Sequence, residues 1–216
     1  YKYQGVKNLM PVTINGDGNI TGLSVGGLGS GVVNTATLAN GAVTQSKRNF
    51  ATGEVLQTVH ASTPDAEYFS NSNSWTNYLS ASITPTSSSN KVLIYHVVTY
   101  GGGDNSYAAG RCFRSGSGTT DTYIQTPTNY QFSESRFTDS SFPMMMNASA
   151  NDQYKMWQTT FMHLDTPASS AAVTYTFAIK ADASSRNAYI NRSNTYPTDG
   201  YNPRPVTTVT LMEIAA

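Results

Sequence analysis

Ala172-Val173-Thr174-Tyr175-Thr176-Phe177-Ala178-Ile179-Lys180 is the stretch that decides the fold. Val173, Tyr175, Phe177 and Ile179 fall on every second position, with Thr174, Thr176 and Lys180 between them. Successive side chains of an extended backbone point to opposite faces, so this spacing gathers the apolar groups on one side. It predicts a strand of an antiparallel sheet with one wet face. Strand signals recur on either side of it: Val55 to His60, Trp75 to Ile83, Lys91 to Tyr100, Tyr107 to Arg114, Thr122 to Gln125, Tyr154 to Leu164, Ala188 to Asn191 and Val206 to Ile214. Connecting stretches such as Thr84 to Asn90, Gly101 to Ser106 and Asp165 to Ser170 are dense in turn residues. Many strands at short spacing, with no helix of normal length, predict an all-β fold, an antiparallel β-sandwich of jelly-roll type.

The same alternation assigns faces elsewhere. Trp75, Leu79, Ala81 and Ile83 are expected on a buried face, with Asn77 as the one interruption. Two strands are apolar on both faces. Val92, Ile94 and Val98 alternate with Leu93, Tyr95 and Val97, while Tyr154, Met156, Met162 and Leu164 alternate with Trp157 and Phe161. One face can fill the sandwich core, so the other is expected to meet a second copy of the chain.

Residues 1–31 read differently. Pro11-Val12-Thr13-Ile14 and Ile20-Thr21-Gly22-Leu23 flank Asn15-Gly16-Asp17-Gly18-Asn19, the pattern of a small hairpin or β-arm with a tight loop. Asn15, Asp17 and Asn19 alternate like calcium ligands, but the closing bidentate Glu of a hand-type loop is missing, and the turn reading is preferred. Gly22 to Gly31 lacks both GxGxxG and the Lys-Ser/Thr ending of a phosphate loop, which leaves a flexible linker or a close approach of several backbones. An arm this short needs a partner surface. Residues 1–50 are therefore read as an N-terminal arm and stalk for attachment or oligomerisation, and residues 51–216 as a β-sandwich knob.

Val32 to Lys47 contains Thr37-Leu38-Ala39-Asn40-Gly41 followed by Ala42-Val43-Thr44-Gln45-Ser46-Lys47. This phrase resembles the stalk repeats of bacteriophage fibre proteins. A second set of residues is Asn90-Lys91-Val92-Leu93-Ile94, Leu164-Asp165-Thr166-Pro167 ahead of Val173-Thr174-Tyr175, and Val209-Thr210-Leu211-Met212-Glu213-Ile214. These look like the C-terminal β-domain of phage fibre and virion proteins, including those of phages that infect marine cyanobacteria. The resemblance implies a homotrimer, since such fibres commonly pack three chains around their long axis.

Composition narrows the partners. Only 12% of the 216 residues are charged, about half the usual ~25%. Thirteen basic residues balance thirteen acidic ones, so no basic field is present to attract nucleic acid and no polybasic anchor to attract a membrane. No apolar run of transmembrane length occurs, and the N-terminal residues lack the basic-then-apolar signature of a secretory signal. Cys112 stands alone and is expected to pack as a small apolar side chain.

Catalytic patterns are weak. His60, His96 and His163 sit singly in predicted strands without zinc spacing, so a hydrogen-bonded or interface imidazole is preferred to a metal site between subunits. Gly22-Leu23-Ser24-Val25-Gly26 has the letters of the GxSxG elbow but opens a linker instead of joining a strand to a helix. No enzyme activity, cofactor or metal is expected. Pro143-Met144-Met145-Met146 reads as an apolar loop or edge strand packed into an interface. Tyr189 to Arg204 combines rigid aromatic area with amides and guanidinium groups, the chemistry of adaptable recognition surfaces. Tyr189, Asn191, Arg192, Asn194, Tyr196 and Tyr201 are the candidate receptor contacts, for a host-surface glycan or protein. The bland alternative is a loop that covers the end of the sandwich with its tyrosines packed down.

The functional expectation is a non-enzymatic phage virion protein: a trimeric fibre or knob on the particle surface, held to other virion proteins by its arm and used for host attachment. A head fibre or capsid decoration protein is the second reading, favoured by the short stalk. A polysaccharide depolymerase and a cellular sugar-binding domain stand further off.

Overall fold

The structure, a computed structural model, describes residues 13–14, 20–21, 43, 48, 50–65, 67–70, 74–102, 107–124, 140–144, 154–181, 187–195 and 203–216. Two compact units divide the chain, Tyr1–Asn49 and Phe50–Ala216. In the first, β1 (Thr13–Ile14) and β2 (Ile20–Thr21) pair antiparallel, with Thr13 opposite Thr21 and Ile14 opposite Ile20. That is the expected hairpin. Its turn from Asn15 to Asn19, the glycine-rich run and most of the Val32 to Lys47 segment lie outside the described residues.

Among the described residues of the second unit every regular element is a strand. In chain order they are β3 (Val55–Thr63), β4 (Glu67–Ser70), β5 (Thr76–Ile83), β6 (Lys91–Gly102), β7 (Ala108–Gly116), β8 (Thr122–Tyr123), β9 (Phe142–Met144), β10 (Trp157–Asp165), β11 (Val173–Ala181), β12 (Asn187–Ile190) and β13 (Thr207–Ile214). They form two antiparallel sheets. In the first, β10 lies along one edge of β6. The other edge is shared end to end by β13, against Lys91 to Val97, and β12, against Tyr100 to Gly102. β3 and β4 then cover β13 and β12. In the second sheet β11 sits between β5 and β7, and β8 and β9 divide the outer edge of β7.

With end-to-end strands counted as one, the first pairs with the last, the second with the seventh (β5 with β11), the third with the sixth (β6 with β10) and the fourth with the fifth (β7 with β8 and β9). This order is what results from winding one long antiparallel hairpin around a core, and it defines a jelly roll.

The core lies between the sheets. Val173, Tyr175, Phe177 and Ile179 of β11 are all buried, facing Val92, Ile94 and Val98 of β6 and Val209 and Leu211 of β13 within one apolar cluster. Met144 and Phe142 of β9 join it, so the edge-strand reading of the methionine run holds for its described part. Cys112 is fully buried there, and desolvation raises its thiol pKa well above the ordinary range, as an inert core residue requires.

Two expectations are corrected. Gly101 and Gly102, read as the start of a loop, are the buried end of β6. A Cβ on Gly101 would lie 2.4 Å from the backbone oxygen of Arg192, so glycine is what lets the 191–193 bend approach the strand. The second correction concerns Trp75. A register shift at Phe177/Ala178 places Phe177 opposite Leu79 but Ala178 opposite Asn77, and Tyr78, the extra residue, turns into the core. Such a bulge resets the alternation, so Trp75 falls on the outer face with Asn77. Asn77, which looked like an interruption, marks the bulge.

Three buried polar networks tie the sheets and loops together. Arg114 Nη1 donates to both carboxylate oxygens of Asp165 at 2.7 Å, and the Tyr175 hydroxyl donates to Oδ2 at 2.7 Å. Arg114 belongs to the second sheet and Asp165 to the first, so this ion pair bridges the sandwich. Glu213 receives Gln57 Nε2 at 2.7 Å, the Thr86 amide at 2.6 Å, the Thr86 hydroxyl at 2.8 Å and Asn90 Nδ2 at 2.6 Å. Burial acts to raise the Glu213 pKa, but the donors from Asn90, Gln57 and Thr86 outweigh it and hold the carboxyl below its ordinary value. His96 packs 4.0 Å from Phe177, centroid to centroid, with its Nδ1 2.8 Å from the Thr208 carbonyl and its Nε2 2.8 Å from the Tyr78 hydroxyl. A carbonyl only accepts, so Nδ1 carries the proton and Nε2 accepts from Tyr78. Desolvation lowers the His96 pKa to about 4. Asn90, Asp165, Tyr175 and Glu213 thus tie strands and loops together at the corners of the sandwich.

Candidate functional site

The segment singled out for recognition begins at β12 and leaves it in a tight bend. Asn191 has φ +58°, a left-handed conformation that Asn tolerates better than most residues. Its side chain is completely buried: Nδ2 donates to the Thr63 carbonyl at 2.7 Å and the Asp65 carbonyl at 3.1 Å, and Oδ1 accepts from the Thr207 hydroxyl at 2.7 Å. Asn191 thus joins the ends of β3, β12 and β13 and has no surface to offer a ligand. Tyr189 is buried as well, its hydroxyl donating to Asn194 Oδ1 at 2.7 Å, with the Arg192 guanidinium 4.4 Å from its ring centroid. Tyr189, Arg192 and Asn194 are therefore brought together, but as a packed cover, because the aromatic face is already occupied. Arg192 and Asn194 remain half-buried at its rim, and Tyr196 and Tyr201 lie outside the described residues.

Two other surfaces stand out. On the outer face of the first sheet, Met162 of β10 lies opposite Tyr95 of β6, which lies opposite Thr210 of β13. The next row holds Leu164, Leu93 and Met212. Met162 is 63% exposed, Leu164 47% and Tyr95 42%. The strands expected to be apolar on both faces are thus neighbours in one sheet, and their outward residues merge into one apolar patch of the kind that marks interaction sites. Their inward residues, Ile94, Val98 and Phe161, fill the core.

On the outer face of the second sheet, the Arg111 guanidinium carbon lies over two rings, 4.6 Å from the Trp75 centroid and 4.8 Å from that of Tyr123. Lys180 Nζ is 5.9 Å from the same indole, and Phe113 packs against Tyr123 at 5.2 Å. Arg111 Nε is buried and has no hydrogen-bond partner among the described residues, and Tyr123 is 40% exposed. Nothing in the local sequence announces this cluster. Trp75 reaches it through the bulge, Arg111 and Lys180 through the pairing of β7 with β11, and Tyr123 through that of β7 with β8.

The histidines do not converge: His96 is locked in the core, and His60 Nδ1 lies 3.1 Å from the Thr210 hydroxyl on the outer face. Among the described residues no group of three His, Cys, Asp or Glu side chains is placed to hold a metal ion.

The fold and these surfaces define an antiparallel β-sandwich wound as a jelly roll, with two differentiated outer faces. No protein-family model and no curated protein matches the chain. Among solved structures it is similar to chains of infectious bursal disease virus, Gt strain (8% identity, TM-score 0.37) and Gx strain (11% identity, TM-score 0.35). Each alignment covers 75% of this chain and 38% of the viral one, so the chain spans well under half the length of those neighbours. The fold assignment rests on the strand pairing itself.

Proposed function

We propose that this chain is a non-enzymatic structural protein of a phage virion, a trimeric fibre or knob displayed on the particle for attachment to the host surface. Residues 1–50 are the arm that holds it to other virion proteins, and residues 51–216 are the displayed domain. The observation that carries the oligomeric part is the apolar patch of Tyr95, Met162 and Leu164 on the outer face of a weakly charged chain. A monomer would leave that face in water, whereas a second copy would remove it. The jelly roll is a winding used by viral capsid and lectin domains, which fits a displayed binding domain by analogy of fold alone. The non-enzymatic reading is supported by the occupation of the buried ionisable groups: Arg114, Asp165, Tyr175, Glu213 and His96 are all engaged in joining strands.

Native mass measurement of the recombinant chain together with immunogold labelling of intact particles tests this. A trimer, with label at the tips of fibres, is expected. Label spread evenly over the capsid would replace attachment by decoration, and a clean monomer at micromolar concentration would overturn the oligomer.

A further inference from the structure

The cluster around Arg111 lies on the outer face of β7, away from the core between the sheets. Its geometry is nevertheless specific. A guanidinium has two π-faces and an edge of N–H donors, and here its central carbon lies over two aromatic rings, those of Trp75 and Tyr123. Its N–H donors lie in the guanidinium plane, and a planar carboxylate or a sulfate matches that edge with two acceptors. The rings also hold the side chain in one orientation, so little conformational entropy remains to be lost on binding.

Charge points the same way. Lys180 shares the Trp75 ring with Arg111, and among the described residues neither cation has a carboxylate within ion-pair distance. Among the described residues two cations thus gather at one indole, on a chain whose net charge is zero. Beside them, Phe113 lies opposite Thr176, which lies opposite Ser80, and the next outward pair, Thr174 and Ser82, is hydrogen-bonded at 2.7 Å. The surroundings of the cations are therefore aromatic on one side and hydroxyl-rich on the other. A nucleic-acid backbone would call for a longer run of positive charge than two cations. A sugar ring bearing an acid group uses all three elements: its C–H groups on the exposed part of Tyr123, its acid group on Arg111 and Lys180, and its hydroxyls on the Ser/Thr rows.

We propose that the outer face of the second sheet, centred on Arg111 with Trp75 and Tyr123, is a binding site for an acidic saccharide. The proposal deepens the attachment reading, placing its ligand contact on this sheet face instead of on the Tyr189 to Arg204 segment. It is tested on the isolated full chain, so it can fail while the particle experiment succeeds, and the reverse. The chain has two tryptophans, and Trp157→Phe leaves Trp75 as the sole fluorescent reporter. In that background the protein is titrated with an oligogalacturonate, a sulfated dextran oligosaccharide, a neutral dextran oligosaccharide of equal length and an oligothymidylate.

Saturable change of Trp75 emission with one or both acidic sugars is expected, and the two arms separate carboxylate from sulfate recognition. Arg111→Lys, which keeps the charge but loses the fork, should weaken that binding at least about tenfold, the scale of one lost charge-assisted bidentate contact. Lys180→Gln changes only the rim and should weaken it less, with melting temperature unchanged. Equal binding of the neutral sugar, tighter binding of the oligothymidylate, no binding of either acidic sugar, or full retention of affinity in both variants would each overturn the proposal.

Discussion

Replacing Asn191 by alanine separates a recognition role from a structural one. The substitution removes the donor to the Thr63 and Asp65 carbonyls and the acceptor of the Thr207 hydroxyl. Asp65 is exposed, so water can satisfy its carbonyl, but Thr63 and Thr207 are buried. Each buried polar group left unpaired costs roughly 1–3 kcal/mol. Alanine at φ +58° adds roughly 1 kcal/mol of backbone cost relative to asparagine. The sum is about 3–7 kcal/mol, which for a unit of this size lowers the melting temperature by roughly 6–28 °C. Thermal and urea unfolding of the full chain measure it. Asn191→Gly serves as the control: it restores the left-handed conformation but not the hydrogen bonds, so it should recover only about 1 kcal/mol. If Asn191→Ala melts within about 3 °C of the parent chain, the three bonds are not what holds the β3, β12 and β13 ends together.

Acid should destabilise the domain in two stages. His96 stays neutral in the fold down to about pH 4, whereas the unfolded chain takes up a proton from the ordinary value of 6.5. Stability is therefore full above pH 6.5 and falls by about 3 kcal/mol as pH drops to 4, and His96→Gln should flatten that interval in unfolding curves. Glu213, whose folded pKa lies below 4.5, adds stability that is lost only as pH falls beneath that value; Glu213→Gln should flatten the lower stage and leave the upper one. Asp165→Asn leaves the Arg114 guanidinium buried without its counter-charge and should cost about 3–5 kcal/mol, while Tyr175→Phe should cost only about 1; similar losses for the two would mean that the charge is not what matters at that corner. Met162→Glu combined with Leu164→Glu places two charges on the exposed apolar patch, and sedimentation should show the oligomer shifted to monomer with the melting curve of the domain little changed. Retention of the oligomer would move the interface elsewhere.

Periodicity alone made the strands and their faces legible wherever a residue's fate depends only on its near neighbours. In the Val173 to Lys180 stretch the four apolar positions are buried as their spacing predicts, with Ala178 at the bulge buried as well, and the arm hairpin follows from two β-branched pieces around a turn cluster. What needed the tertiary structure depends on pairing between strands distant in the chain. The period of two carries parity but not register, so it could not show that an extra residue at Tyr78 sends Trp75 outward to Arg111. Composition described Tyr189 to Arg204 as a recognition surface, yet Asn191 is buried because the ends of β3 and β13 arrive beside it with unpaired backbone and hydroxyl groups. Those groups come from residues 128 and 16 positions away. The two apolar strands were legible as two-faced, but only the winding of the hairpin, which sets β10 against β6, turned their spare faces into one patch. Local sequence determines which way a side chain points along its own strand; which side chains then meet is decided by the long-range register that burial of the core enforces.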